Sequence, residues 1–304
     1  MGCTIASCFI RRPVWCVVVL FIWALATQAD GPINLLTNPG FEDNSRQGTP
    51  VGWSPFWSRT ADAGSMELDG TITHSGKFAI KISHRATTDW SVAAVTSIPV
   101  QSGDIMKLSG WMRCEAATNA CFSVIARKAD NSVISWALGQ TTCTEMQGWQ
   151  YISRRFLVPE ECTNIQFRII GSGPAVLWAD DIALSSLGSL QAYTAQKSAG
   201  YKAIANRYLQ VRLADNCGQL VVTDRRNRRV WTQCSRNQGI VVKKVAIVRP
   251  TSMRLTLWDV LNDGEFTATI TLVADRPELT VELAGQGHLQ NAITFPQPFV
   301  TGKG

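Results

Sequence analysis

Two stretches decide the fold: NLLTNPGFED at residues 34–43 and VLWADDIAL at residues 176–184. In the first, Asn38-Pro39-Gly40 is a tight-turn tripeptide. It is expected to send Phe41 inward and Glu42 toward a polar site. In the second, Asp180 opens a strand whose Ile182 and Leu184 point inward by alternation. A third stretch, HSGKFAIKIS at 74–83, places a Ser75-Gly76 turn before a strand with Phe78, Ile80 and Ile82 on one face.

The same grammar runs along the rest of the chain. Residues 92–100, 107–113, 121–129, 151–158 and 165–170 are rich in β-branched and aromatic residues, separated by clusters of Gly, Asp, Asn and Pro. No long stretch carries a period near 3.6, so an all-β sandwich is predicted. The best helix candidate is short, residues 192–205, next to the small polar stretch SSLGSLQAYTAQKSA at 185–199 that marks a domain boundary. A second series of strand-like runs follows at 208–213, 220–223, 230–232, 241–248, 253–258, 266–273 and 279–283, with a turn at Asp275-Arg276-Pro277-Glu278. The predicted layout is a signal peptide (1–29), a first sandwich (30–187), a linker (188–199), a second sandwich (200–295) and a tail (296–304). Pro296 and Pro298 argue against a central strand in that tail.

The N-terminus predicts export. Arg11 and Arg12 precede an apolar run from Val14 to Ala26, and Thr27-Gln28-Ala29 offers a cleavage site. The run is shorter than the roughly 20 residues that span a bilayer, so no stable membrane span is expected after cleavage. The protein is placed outside the cell or on its surface. Removing Arg11 and Arg12 lowers the formal charge from +6 to +4, too mild to call for nucleic acid. The dense cluster Arg225, Arg226, Arg228 and Arg229 sits around Asn227 between two strands, as in a solvated hairpin turn. Six cysteines remain after the leader: Cys114, Cys121, Cys143, Cys162, Cys217 and Cys234. In an exported chain they read as disulfides. Sequence-adjacent pairing is favoured, because Cys114 and Cys121 bracket a turn and Cys217 and Cys234 bracket a hairpin; zinc is disfavoured by the lack of CxxC pairs.

No catalytic residues are assigned. The three histidines, His74, His84 and His288, accompany no GxSxG elbow, and phosphate-loop and dinucleotide fingerprints are missing. Glycoside hydrolysis needs two facing carboxylates; Asp180 and Asp181, as strand neighbours, are expected to face opposite ways.

The blocks already quoted, with PVGW at 50–53, TDWSVAAVTSIPV at 88–100 and GWQYISRRFLVPE at 148–160, resemble carbohydrate-binding modules of the type found with cellulases and xylanases (families 4, 9 and 22). The resemblance covers residues 34–185 and implies a jelly-roll, galactose-binding-like sandwich. It further implies a structural Ca2+ held by Glu42 and Asp180, with carbonyls near His74 and Lys77; Asp181 is the alternative to Asp180. Sugar recognition needs flat apolar faces and a few polar groups. By analogy Trp90 is the stacking aromatic and Trp136 its opposing platform, with Arg168 and Gln166 on the same face; Trp57 is the alternative on the loop rim. Residues 200–304 are weakly similar to the β-sandwich domains that precede glycoside hydrolase barrels. The implied role is a non-catalytic polysaccharide- or oligosaccharide-binding protein, an accessory or front portion of a glycoside hydrolase with a catalytic domain as partner. The alternative is a structural or adhesive surface protein that binds no sugar.

Overall fold

The computed structural model describes residues 32–44, 49–116, 119–144, 147–195, 200–214, 218–234, 239–286 and 292–301. The expected signal peptide (1–29) and Cys217 lie outside the described residues.

The first unit carries eleven described strands: β1 (Trp57–Ser58), β2 (Gly64–Asp69), β3 (Ala79–His84), β4 (Asp89–Ala93), β5 (Ile98–Pro99), β6 (Asp104–Ala116), β7 (Cys121–Arg127), β8 (Val133–Thr142), β9 (Trp149–Leu157), β10 (Asn164–Ser172) and β11 (Ala175–Ser189). They form two antiparallel sheets. One has the order β1-β4-β10-β7-β8, with β5 also on β10; the other runs β2-β3-β11-β6-β9. Alternation then sorts the side chains. Val92, Phe122, Val124, Phe167 and Ile169 from the first sheet meet Ile80, Ile82, Leu108, Met112 and Leu177 from the second, and all are buried. The stretch expected as one strand at 92–100 is broken between β4 and β5.

The opening turn forms as its sequence predicts. Asn38 and Phe41 take positive φ, Phe41 is fully buried, and its ring lies 5.0 Å from that of Trp53. The Trp53 indole nitrogen donates to the Asn38 carbonyl at 3.1 Å, and the Ile182 amide donates to the Pro39 carbonyl at 3.0 Å. The turn is thereby fastened to β11.

A short helix, α1 (Leu190–Ala195), ends the first unit. The helix expected at 192–205 stops there, because residues 201–205 instead form β12 (Tyr201–Ala205), paired along its length with β13 (Leu209–Ala214). Strand pairing overrides weak helix propensity. The second sandwich continues with β14 (Leu220–Asp224), β15 (Val230–Gln233), β16 (Ile240–Arg249), β17 (Ser252–Asp259), β18 (Gly264–Leu272), β19 (Leu279–Gly285) and β20 (Phe299–Thr301). Its sheets run β12-β13-β14-β15-β20 and β16-β17-β18-β19, around a core that includes Val211, Leu213, Leu255, Leu257 and Ile270. The tail expected from 296 returns as an edge strand: Phe299 to Thr301 pair with β15 immediately after Pro298, a position that tolerates proline nearby. The arginine cluster forms the β14–β15 turn, where Asp224 is ion-paired with Arg226 at 2.7 Å.

Ile105 and Leu190 pack on Val241 and Val260, and Arg155 reaches Asp263 at 2.6 Å. The second sandwich thus covers one end of the outer face of the β2-β3-β11-β6-β9 sheet.

Candidate functional site: a tryptophan-walled cleft

The outer face of the β1-β4-β10-β7-β8 sheet can be read strand by strand. Trp57 lies opposite Ser91, Ser91 opposite Ile170, Ile170 opposite Cys121 and Cys121 opposite Thr142. Directly opposed residues share a face, and their neighbours Val92, Ile169 and Phe122 point into the core. This row therefore faces outward. The next row is Ala93, Arg168 and Ser123, and Gln166 lies opposite Ile125 beyond it. Ser91, Ala93, Arg168, Ile170, Cys121 and Ile125 floor a cleft of about 760 Å³, within the usual range for ligand sites.

Two tryptophans stand at its edges. Trp57 on β1 is 48% exposed, and Trp136 on β8 is 62% exposed. Strand β8 carries register shifts around its pairing with β7, and such bulges re-aim side chains. Hence Trp136 stands in the open, although Ile134 and Leu138 on either side pack on the core. The Arg127 guanidinium lies 5.9 Å from the Trp136 ring centroid.

Polar groups line the rest. The Arg59 guanidinium donates twice to Asp89, at 2.5 and 2.9 Å, and it holds the Asp89 carboxyl below the usual carboxylate range. Asn119 is locked to Ser172 by two hydrogen bonds. The Gln166 amide nitrogen donates to the Ala94 carbonyl at 2.7 Å. Arg168 is half-buried mid-floor; burial and the charge of Arg127 push its pKa down. Burial pushes the Cys121 thiol up to about 12.

Of the four residues predicted to bind sugar, Trp136, Arg168 and Gln166 meet on this face. Trp90 is among the residues that line the cleft, but its ring is turned to the core side. It alternates with Ser91 on β4, is 1% exposed, and packs inward beside Phe56 at 6.3 Å. A Cβ on Gly171 would lie 2.3 Å from its ring, so the indole presses on the β10 backbone from beneath. The family analogy set the expectation of a stacking ring, whereas strand parity turns that ring toward the core. Trp57 takes the wall position. Asn119 and the Arg59–Asp89 pair were not anticipated, because only sheet pairing brings them to this face.

The predicted metal ligands gather elsewhere, on the loop before β3. Asp180 is fully buried; its carboxylate accepts from the amides of His74, Ser75 and Asp181 at 3.0, 3.1 and 2.8 Å. Burial raises its pKa against those hydrogen bonds. Glu42 accepts from the amides of Lys77 and Phe78 at 2.8 and 3.1 Å. Asp181 was expected to face away from Asp180. Instead it has φ +49, at a register shift in β11, and bonds His74 Nδ1 at 2.6 Å and Ser75 Oγ at 2.9 Å. The bulge turns both aspartates to one loop. Serine and histidine here each bind the carboxylate and not each other, whereas activating a serine requires imidazole against its hydroxyl. Among the described residues, no group of three or more His, Cys, Asp or Glu converges as for a metal.

The cysteines depart from sequence-adjacent pairing. Cys114, Cys121, Cys162 and Cys234 are free thiols. Cys114 points into the core, whereas Cys121 lies on the cleft side of β7, so the two cannot meet. The hydrogen-bonding partner of Cys114 is Cys143, and that contact, with burial, raises its pKa. Cys162 instead directs its thiol to the Asn164 carbonyl at 3.4 Å.

Among the described residues no helix is long and apolar enough to cross a membrane. Residues 33–176 match the profile of the family described as "Carbohydrate binding domain". No curated protein sequence matches the chain. Among solved structures, the chain is similar to the CBM22-1 xylan-binding domain from Paenibacillus barcinonensis Xyn10C (17% identity, 53% of this chain and 99% of that one, TM-score 0.37). It is also similar to TmCBM61 in complex with β-1,4-galactotriose (16%, 51% and 99%, TM-score 0.35). A third likeness is to the enzymatically active domain of Bacteriophage CBA120 tailspike protein 4 (9% identity, TM-score 0.42), where 51% of this chain spans 22% of that one. Scores of this size say nothing about ligand. The profile match falls on the first sandwich and supports residues 33–176 as a carbohydrate-binding module.

Proposed function

We propose that the chain is an exported polysaccharide-binding protein that seats a glycan chain across the outer face of the β1-β4-β10-β7-β8 sheet. The observation that carries this reading is the pair of exposed tryptophans on opposite edge strands with a polar floor between them. Flat indoles cover the C–H faces of pyranose rings, and the polar groups read hydroxyls. Four strand spacings separate β1 from β8, about 19 Å at roughly 4.8 Å each, so an extended chain suits the cleft better than a single sugar.

Affinity electrophoresis of the full chain through gels containing plant, algal and bacterial polysaccharides tests the reading. Retardation by at least one polymer, lost in Trp136→Ala, is the expected result. A folded protein retarded by none would favour the structural or adhesive alternative. The accessory role beside a glycoside hydrolase catalytic domain belongs to this proposal, and so does the location outside the cell or on its surface.

A structural Ca2+ is part of the same proposal. Glu42 and Asp180, delivered by separate segments to one loop, with carbonyls near His74 and Lys77, form an all-oxygen donor set of the kind calcium prefers. Bound calcium would supply positive charge to two carboxylates now held by five backbone amides. At a hundredfold excess over its dissociation constant it stabilises by about 2.7 kcal/mol. A melting temperature that rises with CaCl2 and falls with chelator is expected; no shift would remove the cation. Oxidation, if export supplies a disulfide oxidant, is proposed to join Cys114 to Cys143. The two thiols lose two protons and two electrons, and the oxidant leaves as two thiols. Non-reducing peptide mapping should find that link and no Cys114–Cys121 peptide.

A further inference from the structure

Arg168 occupies the middle of the cleft floor, and its surroundings do not neutralise it. Its guanidinium makes no hydrogen bond to any described residue, and the nearest carboxylate, Asp89, is already bound twice by Arg59. A second cation, Arg127, also acts on it. Ser123, directly opposite Arg168 on β7, is fully buried, and its hydroxyl lacks a hydrogen-bond partner. An arginine that is half-buried and unpaired has lost part of its hydration without gaining a counter-charge. Such a group holds its place at a cost unless a ligand supplies the missing anion.

We infer that the cleft selects an acidic glycan, and that Arg168 receives the carboxylate of a uronic acid residue seated between Trp57 and Trp136. This rests on the reading of the cleft as the glycan site. The guanidinium fork matches a carboxylate with two parallel hydrogen bonds. The walls then hold the chain on either side of that residue, and the floor fixes its charge. One unpaired guanidinium with Arg127 at the rim suits a singly charged sugar. A densely sulfated chain would need a run of unpaired cations, whereas Arg59 is already tied to Asp89.

The test compares a uronate-bearing polysaccharide, such as a glucuronoxylan or a polygalacturonate, with the same polymer after reduction of its carboxyl groups. A sulfated galactan serves as a third arm, and the full chain is used throughout. The native polymer should bind about tenfold or more tightly than its reduced form, since charge-assisted hydrogen bonds contribute about 1.5–3 kcal/mol. The preference should shrink at high salt. In Arg168→Gln the ratio of the two affinities should fall toward one, and Arg168→Lys, which keeps the charge without the fork, should restore part of it. Thermal melting establishes that both variants fold. Equal binding of native and reduced polymers, or tighter binding of the sulfated one, overturns the inference while leaving glycan binding intact. Absence of binding to every polymer overturns both.

Discussion

The two outer faces of the first sandwich both carry aromatic residues, yet only one leaves them apart over an open cleft. On the β2-β3-β11-β6-β9 sheet the aromatics meet one another. His74 stacks on Trp111 at 3.9 Å, Trp149 meets His74 edge-on at 5.7 Å, and Tyr151 lies 5.4 Å from Trp111. Trp178 is buried beneath Lys81 and Arg113, and its indole nitrogen donates to Asp69 at 2.8 Å. One end of that face is covered by the second sandwich. On the other sheet, Trp57 and Trp136 stand apart on edge strands, with Arg168 unpaired between them. The number of aromatics does not mark the site. Their separation does, together with polar groups left without partners.

The largest effect that tests this contrast comes from a tryptophan belonging to neither face. Trp90→Ala empties core volume beneath Gly171, and such truncations cost about 3–5 kcal/mol. Chemical denaturation should show that loss. A variant as stable as the parent, with reduced glycan binding, would return Trp90 to the cleft wall and undo the parity argument. Next in size is Trp136→Ala. Removing an exposed aromatic anchor should weaken binding by about 2 kcal/mol, near thirtyfold, with stability nearly unchanged. Tyr151→Ala on the other face should alter glycan affinity by less than about 0.5 kcal/mol. Isothermal titration of both variants with one polysaccharide makes the comparison direct, and equal losses would erase the distinction between the faces.

The contrast also explains what was legible beforehand. The strands were readable because alternation of apolar residues is local, as in Ile165, Phe167 and Ile169 on β10. The turn at Asn38-Pro39-Gly40 was readable because its chemistry is local too. Arg168 and Gln166 followed from that same alternation once β10 was placed. The inward turn of the Trp90 ring was not legible, because one residue of parity decides between core and cleft. Asp180 and Asp181 were assigned opposite faces by regular alternation, which the bulge with Asp181 at φ +49 breaks. The Cys114–Cys143 approach lies across two sheets, and spacing along the chain holds no information about it.

The smallest effect concerns one carboxylate on each face. Asp89, beside the cleft, is held below the usual range chiefly by hydrogen bonds from Arg59. Asp69, on the opposite sheet, is held lower by neutral donors, first the Thr71 hydroxyl and then the Trp178 indole and the amides of Thr71 and Ile72. Both folded-state values lie below the unfolded value of about 3.9. Each group therefore stabilises the fold above about pH 4, and that contribution is lost as pH falls through its own folded value. Salt separates them. An exposed ion pair is screened, whereas hydrogen bonds from uncharged donors are not. Carboxyl titration by NMR at low and high ionic strength should move the Asp89 midpoint upward and leave that of Asp69 in place. An Asp89 midpoint that salt leaves unmoved would mean that hydrogen-bond geometry alone, and not the charge of Arg59, holds the cleft-side acid.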